Sequence, residues 1–354
     1  MSANLETFSF HAMNSATLVY AGAMVAFAYD FAFSARIDGA VDRASERTSA
    51  SAKEPAKELA KESASVGAAA AAPPTPPTPA DLSAKSMSMR IESTDNSEVR
   101  SKAAGIAVSL TILAFGIHFV AVATRGYSAG RVPWGNMYEF STAAALAVVA
   151  AFLVLLPRFG LRWLGLFVIT PVLLTLGVAT TLLYKPGTEA LVPALHSYWL
   201  AVHVTAAVIA SGIFTVAAAI TVLYLVADNA ERRVARGDGP GAGGYVLDRV
   251  PTAARLDKLA FRTIAFAFPI WTFAVVAGAI WAEDAWGRYW GWDPKETWAF
   301  ITWVVYACYL HARVTAGWKG RRAAIIALLG FACFLFNYFG VNILIPGLHS
   351  YSGL

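Results

Sequence analysis

The chain has 354 residues, of which 57% are hydrophobic and only 14% charged. A water-soluble domain has about 45–50% apolar and about 25% charged residues, so this chain lacks the polar groups to cover its own surface in water. The net charge of +5 suggests nucleic acid only until the charges are mapped, when they report topology instead.

Eight apolar stretches are long enough to cross a bilayer: 14–33, 103–124, 139–156, 163–184, 198–227, 260–281, 296–313 and 323–345. Each is expected to be a helix, because lipid offers backbone groups no partner. The predicted fold is therefore an all-α polytopic membrane protein of about eight spans. With the N-terminus and C-terminus on the outer face, 23 of the 28 Lys and Arg residues fall on the cytoplasmic side. Outside remain Arg125, Arg131, Lys185, Arg288 and Lys295, a distribution that follows the positive-inside rule.

Three regions are expected: an N-terminal transmembrane helix over 1–34, a linker over 35–99, and a seven-helix domain over 100–354. The first helix has neither a positive leading segment nor a small-residue cleavage site, so it reads as retained. The linker is Ala, Lys, Glu, Pro and Ser, ending in PPTPPTP over 73–79. Lacking large apolar side chains, it is expected to be a disordered cytoplasmic spacer. The two cysteines, Cys308 and Cys333, form no C-x-x-C, which excludes a disulfide framework and a cysteine-rich zinc site.

Seven of the eleven tryptophans lie between Trp271 and Trp303, most densely in WGRYWGWDPKETW over 286–298. An interfacial belt explains one or two per helix end, but not four in thirteen residues with glycines between them. Trp286, Trp290 and Trp292 suit a surface on which a flat hydrophobic ligand lies. Asp293-Pro294-Lys295-Glu296 has the chemistry of a helix start, with Asp293 as N-cap and Glu296 reaching back. Capping thus outweighs catalysis for Asp293.

Of six histidines, His11 falls in the N-terminal tail and His118 near a helix end, where packing explains it. The pattern P-x-L-H-S-Y occurs twice, at 193–198 and 346–351. It nominates His196 and His349 as an outer pair, and His203, two turns past His196, competes for the same role. His311 lies deep in the seventh span, where an ionisable ring is costly and points to function. Two imidazoles beside a tryptophan surface describe a bis-histidine haem site. Zinc fits less well, since no H-E-x-x-H is present. An ion transporter would carry mid-membrane charges that are nearly absent here.

The run from Trp281 to Trp303 resembles the WWD signature of the haem-handling proteins of cytochrome c assembly. The resemblance is to the CcsA/ResC branch, called CcsB in actinobacteria, of the system II synthetase. The stretches 124–139, 191–204 and 337–351 resemble other motifs of that branch, so the likeness covers about 100–354. It implies that haem b, non-covalent and in transit, is carried to the extracytoplasmic face of the plasma membrane and presented for thioether attachment to the CxxCH of apocytochrome c. The chain would then be the haem-presenting subunit of a haem lyase, contributing no catalytic acid or nucleophile of its own. The partners implied are a ResB/CcsB-type membrane subunit, apocytochrome c and a thiol-reducing thioredoxin-like protein, with no nucleic acid.

By the same resemblance His203 and His349 are the outer axial ligands and His311 the intramembrane one, with His196 the second choice for the first position. Glu139 and Asp293 read first as structural, and Arg288 and Lys295 as partners for propionates. The alternatives are a haem exporter or chaperone without synthetase activity, and a bis-histidine electron-transfer membrane cytochrome.

Overall fold

A computed structural model describes residues 2–33, 79–186, 197–239, 241–247 and 249–349, and among them the chain is helical without strands. Eight helices carry the architecture: α1 Ser2–Phe33, α2 Pro79–Ala129, α3 Met137–Phe159, α4 Gly165–Val178, α5 Tyr198–Ala235, α6 Ala253–Trp286, α7 Pro294–Val314 and α8 Arg321–Leu335. A π-helical turn prolongs α4 over Ala179–Leu183, and another, Phe336–Gly340, joins α8 to a last turn at Val341–Leu344.

Seven helical stretches are long and apolar enough to cross a membrane. The eighth expected span, 296–313, lies in α7, which at 21 residues is about 32 Å long. Its Trp, Tyr, Thr and His side chains dilute its apolar content, so α7 meets the length requirement and not the compositional one. Much of the expected linker lies outside the described residues. From Pro79 the chain is already helical, so the last third of the 35–99 segment extends α2. The local composition, poor in large apolar residues, gave no sign of it.

The packing order is α1 on α2 and α4, α3 on α5, α5 on α6, and α7 on α8. One apolar core joins α1 to α4 around Tyr20, Phe27, Phe152 and Ile169. A second joins α5 to α8, where the Phe214 and Tyr306 rings stack 4.1 Å apart at 5°. His118 is buried between α1 and α2, with the Tyr20 hydroxyl 3.4 Å from Nδ1 and no partner for Nε2. The neighbour expected to satisfy it therefore serves only one ring nitrogen.

Where α3 crosses α5, Gly212 lets the two backbones meet: a Cβ there would lie 2.8 Å from the Ala147 carbonyl. Backbone cannot rotate away as a side chain can. Gly212→Ala is expected to push the helices apart at a cost of about 1–3 kcal/mol, read as a lower unfolding temperature of the purified protein in detergent.

Candidate functional site

The site lies at the end of the bundle where α3, α5 and α7 begin and α6 ends. Gly287 stops α6 in a left-handed conformation, its N–H donating to the Glu283 carbonyl. The following loop wraps round one carboxylate. Glu296 accepts from Gly291 N at 2.8 Å and Asp293 N at 3.1 Å, and pairs with Arg288 Nη1 at 3.1 Å. Asp293 closes the reciprocal capping box and Pro294 takes the first helical position. Trp292 is the one non-glycine described residue at positive φ, 58°, a conformation that costs energy and clusters at functional sites.

Asp293 does more than cap. Its Oδ1 accepts from Leu348 N at 2.7 Å and its Oδ2 from His349 Nδ1 at 3.2 Å. Burial alone would push the Asp293 carboxyl up. The hydrogen bonds from His349, Leu348 and Lys295 outweigh it and hold the group below the usual carboxylate range. His349 thus sits in a carboxylate-oriented position, edge-on to Trp281 and Trp286 at 5.4 and 4.9 Å.

His203, in the second turn of α5, donates from Nδ1 to the Ala274 carbonyl of α6 at 2.7 Å. Its ring lies parallel to Trp281, 6.0 Å away at 10°. Gly278 makes the approach possible, since a Cβ there would stand 2.7 Å from His203 Nδ1. Because carbonyl and carboxylate only accept, both histidines must carry their proton on Nδ1 when neutral. Each then presents an unprotonated Nε2, which has no hydrogen-bond partner among the described residues. This is the orientation that outer partners give to metal-binding imidazoles, so the donor set fits haem iron.

Both rings line one cavity of about 200 Å³. Its flat apolar walls come from Trp134, Trp271, Trp281, Trp290, Phe140 and Phe334, and its polar lining includes Lys295 and Asn337. Among the described residues no three His, Cys, Asp or Glu side chains converge, so the imidazoles form a pair and not part of a larger metal cluster.

Of the residues nominated from sequence, the structure brings together His203, His349, Asp293 and Trp290. Trp286 packs behind His349, and Trp292 points outward, 66% exposed. His311 is exposed near the far end of α7, its Nδ1 3.4 Å from Thr315 Oγ1. Eighteen helical residues, about 27 Å, separate it from Asp293. His196 lies outside the described residues. The cavity walls Trp134, Trp271 and Trp281 were not nominated. The last two stand in the tryptophan-rich run, the only local signal available.

A buried charge cluster fixes the wall that contains Trp134. Glu139, 0% exposed, is held by Arg125 Nε at 3.1 Å, Arg131 Nη1 at 2.6 Å and Gly135 N at 2.9 Å. Arg125 also reaches Glu6 of α1 at 2.7 Å. The Asn136 side chain caps α3 by accepting from Glu139 N.

Eight packed helices, seven of them fit to cross a bilayer, and a tryptophan-walled cavity with two oriented imidazoles define a polytopic membrane protein built around a bis-histidine site. A family model described as cytochrome C assembly protein matches residues 134–349, the interval that holds every residue lining the cavity. The chain belongs to this family, in its CcsA type. It is 35% identical over 288 residues to the cytochrome c biogenesis protein CcsA of Gloeothece citriformis, covering 70% of this chain and 86% of that one. It is 37% identical over 259 residues to the CcsA protein of Guillardia theta, with 70% and 86% covered. For Porphyra purpurea the figures are 33% over 279 residues, 70% and 88%.

Proposed function

We propose that this protein works in cytochrome c maturation by holding haem b between His203 and His349 and presenting it for thioether attachment to the CxxCH segment of apocytochrome c. The observation that carries the reading is the pair of imidazoles turned into one apolar cavity, each with Nδ1 committed and Nε2 available. The uneven distribution of Lys and Arg puts this end of the bundle on the extracytoplasmic side of the plasma membrane. A ResB/CcsB-type membrane subunit completes the synthetase, and a thioredoxin-like protein keeps the apocytochrome thiols reduced. His311, exposed near the opposite end, is the imidazole at which haem is taken up, with its second ligand from the partner.

The bound substrate supplies vinyl groups: each thiol adds across a C=C bond, sulfur joining one carbon and a proton the other, with no net oxidation. The residues of this chain orient and exclude. Trp281 and Trp290 give flat apolar contact, Asp293 and Ala274 fix the ring planes, and the walls keep out water. Proximity and orientation then supply much of the rate, so the site needs neither nucleophile nor general acid.

The purified protein is expected to show the reduced absorption of a bis-histidine haem. His203→Ala combined with His349→Ala is expected to abolish it while the chain still elutes as a single species in detergent. Full haem content in that double variant would overturn the proposed site. Incubation with the partner and a CxxCH apocytochrome separates the alternatives. Covalent haem supports the synthetase, release without attachment an exporter or chaperone, and stable haem reduced by quinol an electron carrier.

A further inference from the structure

The cavity with the two imidazoles also contains a cation that no side chain neutralises by direct contact among the described residues. Lys295 is the second residue of α7 and lines the cavity. Its Nζ donates to the Asn337 backbone carbonyl at 2.7 Å, its one hydrogen bond there. The nearby Asp293 carboxylate already accepts from Leu348 N, His349 Nδ1 and Lys295 N, and makes no ion pair with the ammonium. Arg288, the other cation of the loop, has Glu296 as its ion-pair partner.

A second observation points to the same place. Asn337 is 6% exposed and lines the cavity, and its Oδ1 is buried without a hydrogen-bond partner. An orphaned buried polar atom costs about 1–3 kcal/mol unless a ligand satisfies it. A half-turn of the carboxamide puts its NH₂ group where Oδ1 stands, which converts the orphan into a donor. Asn337 belongs to the π-helical turn Phe336–Gly340, the kind of helix defect often found at functional sites. One ammonium and one carboxamide, side by side in a mostly apolar cavity, are the complement of a single carboxylate.

We infer that Lys295 and Asn337 form a carboxylate subsite that takes a propionate of the bound macrocycle and so fixes its rotation about the line between the imidazoles. This rests on the haem reading above. Arg288, which the sequence nominates equally, is excluded from the role by its pairing with Glu296.

The test compares haem b with its dimethyl ester, whose carboxylates are masked and whose iron is unchanged. Each is titrated into the purified full-length chain and followed by its visible spectrum. The native protein is expected to bind haem b roughly tenfold or more tighter than the ester, the range of a charge-assisted hydrogen bond. Lys295→Met should abolish the preference by weakening haem b alone, and Lys295→Arg should keep it. Unchanged ester affinity in Lys295→Met shows that its site is still folded. If that variant binds neither ligand, Asn337→Leu decides: a narrowed preference supports the subsite, an unchanged one overturns it. Equal affinities in the native protein, or a preference that survives Lys295→Met, overturn the subsite and leave the haem site standing. Absence of a bis-imidazole spectrum with either ligand removes the haem reading itself.

Discussion

Glu139→Ala is expected to lower stability by about 3–5 kcal/mol, the cost of removing one member of a buried ion cluster. Arg125 is 3% exposed and Arg131 is 13% exposed at its side chain, so neither guanidinium can turn to water once the carboxylate is gone. Gly135 N loses its acceptor in the same step. The damage should extend beyond folding, because the segment tied down by Glu139 carries Trp134 and Asn136 into the cavity wall. Thermal unfolding in detergent is expected to show a midpoint lower by on the order of 10 °C, with less haem retained below it. Glu139→Gln keeps the shape and part of the hydrogen bonding, and should fall between the two. Glu6→Gln should have the smallest effect, since Glu6 touches only the outer side of Arg125. A native-like midpoint for Glu139→Ala would show that the cluster does not hold this wall.

Asp293→Ala is expected to weaken haem retention by roughly 10–100-fold, the usual consequence of losing an outer partner to a metal-binding imidazole. Loss of the α7 cap adds about 0.5–2 kcal/mol of destabilisation. Asp293→Asn still offers an oxygen to the Lys295 and His349 N–H groups, and should keep most of both properties. Equal haem dissociation rates for the native and alanine proteins would sink this role. The folded-state pKa of Asp293 lies below its ordinary value, so its contribution is fully present above the usual carboxylate range. It is lost as pH falls through the folded value. The thermal advantage of the native protein over Asp293→Ala should therefore be constant at neutral pH and shrink only in strong acid.

Local chemistry announced much of this site and missed its long-range half. The capping box at 293–296 was legible because every participant lies within four residues. The eight spans were legible because hydrocarbon demands length and apolarity of each separately. The rear walls, Trp271 and Trp281, face the cavity only because α6 packs on α5, and no pattern within α6 states which side that will be. His203 is oriented by Ala274, and Arg125 of the Glu139 cluster reaches Glu6; both partners are distant in sequence. The Trp286, Trp290 and Trp292 platform was drawn from spacing in a loop. Loop geometry, with Trp292 at positive φ, sends the last of these outward. Asn337 escaped notice because its turn abandons the 3.6-residue period on which helical faces are read.

That break in period sets a tolerance on the length of the chain itself. The Phe336–Gly340 turn accommodates one residue more than an α-helix of the same rise. Excising a single residue there would restore regular pitch and swing everything downstream through about 100°. Asn342 and the tail that ends in His349 would then face the wrong way, although neither had been altered. At this point the protein can change side chains more safely than it can change its residue count.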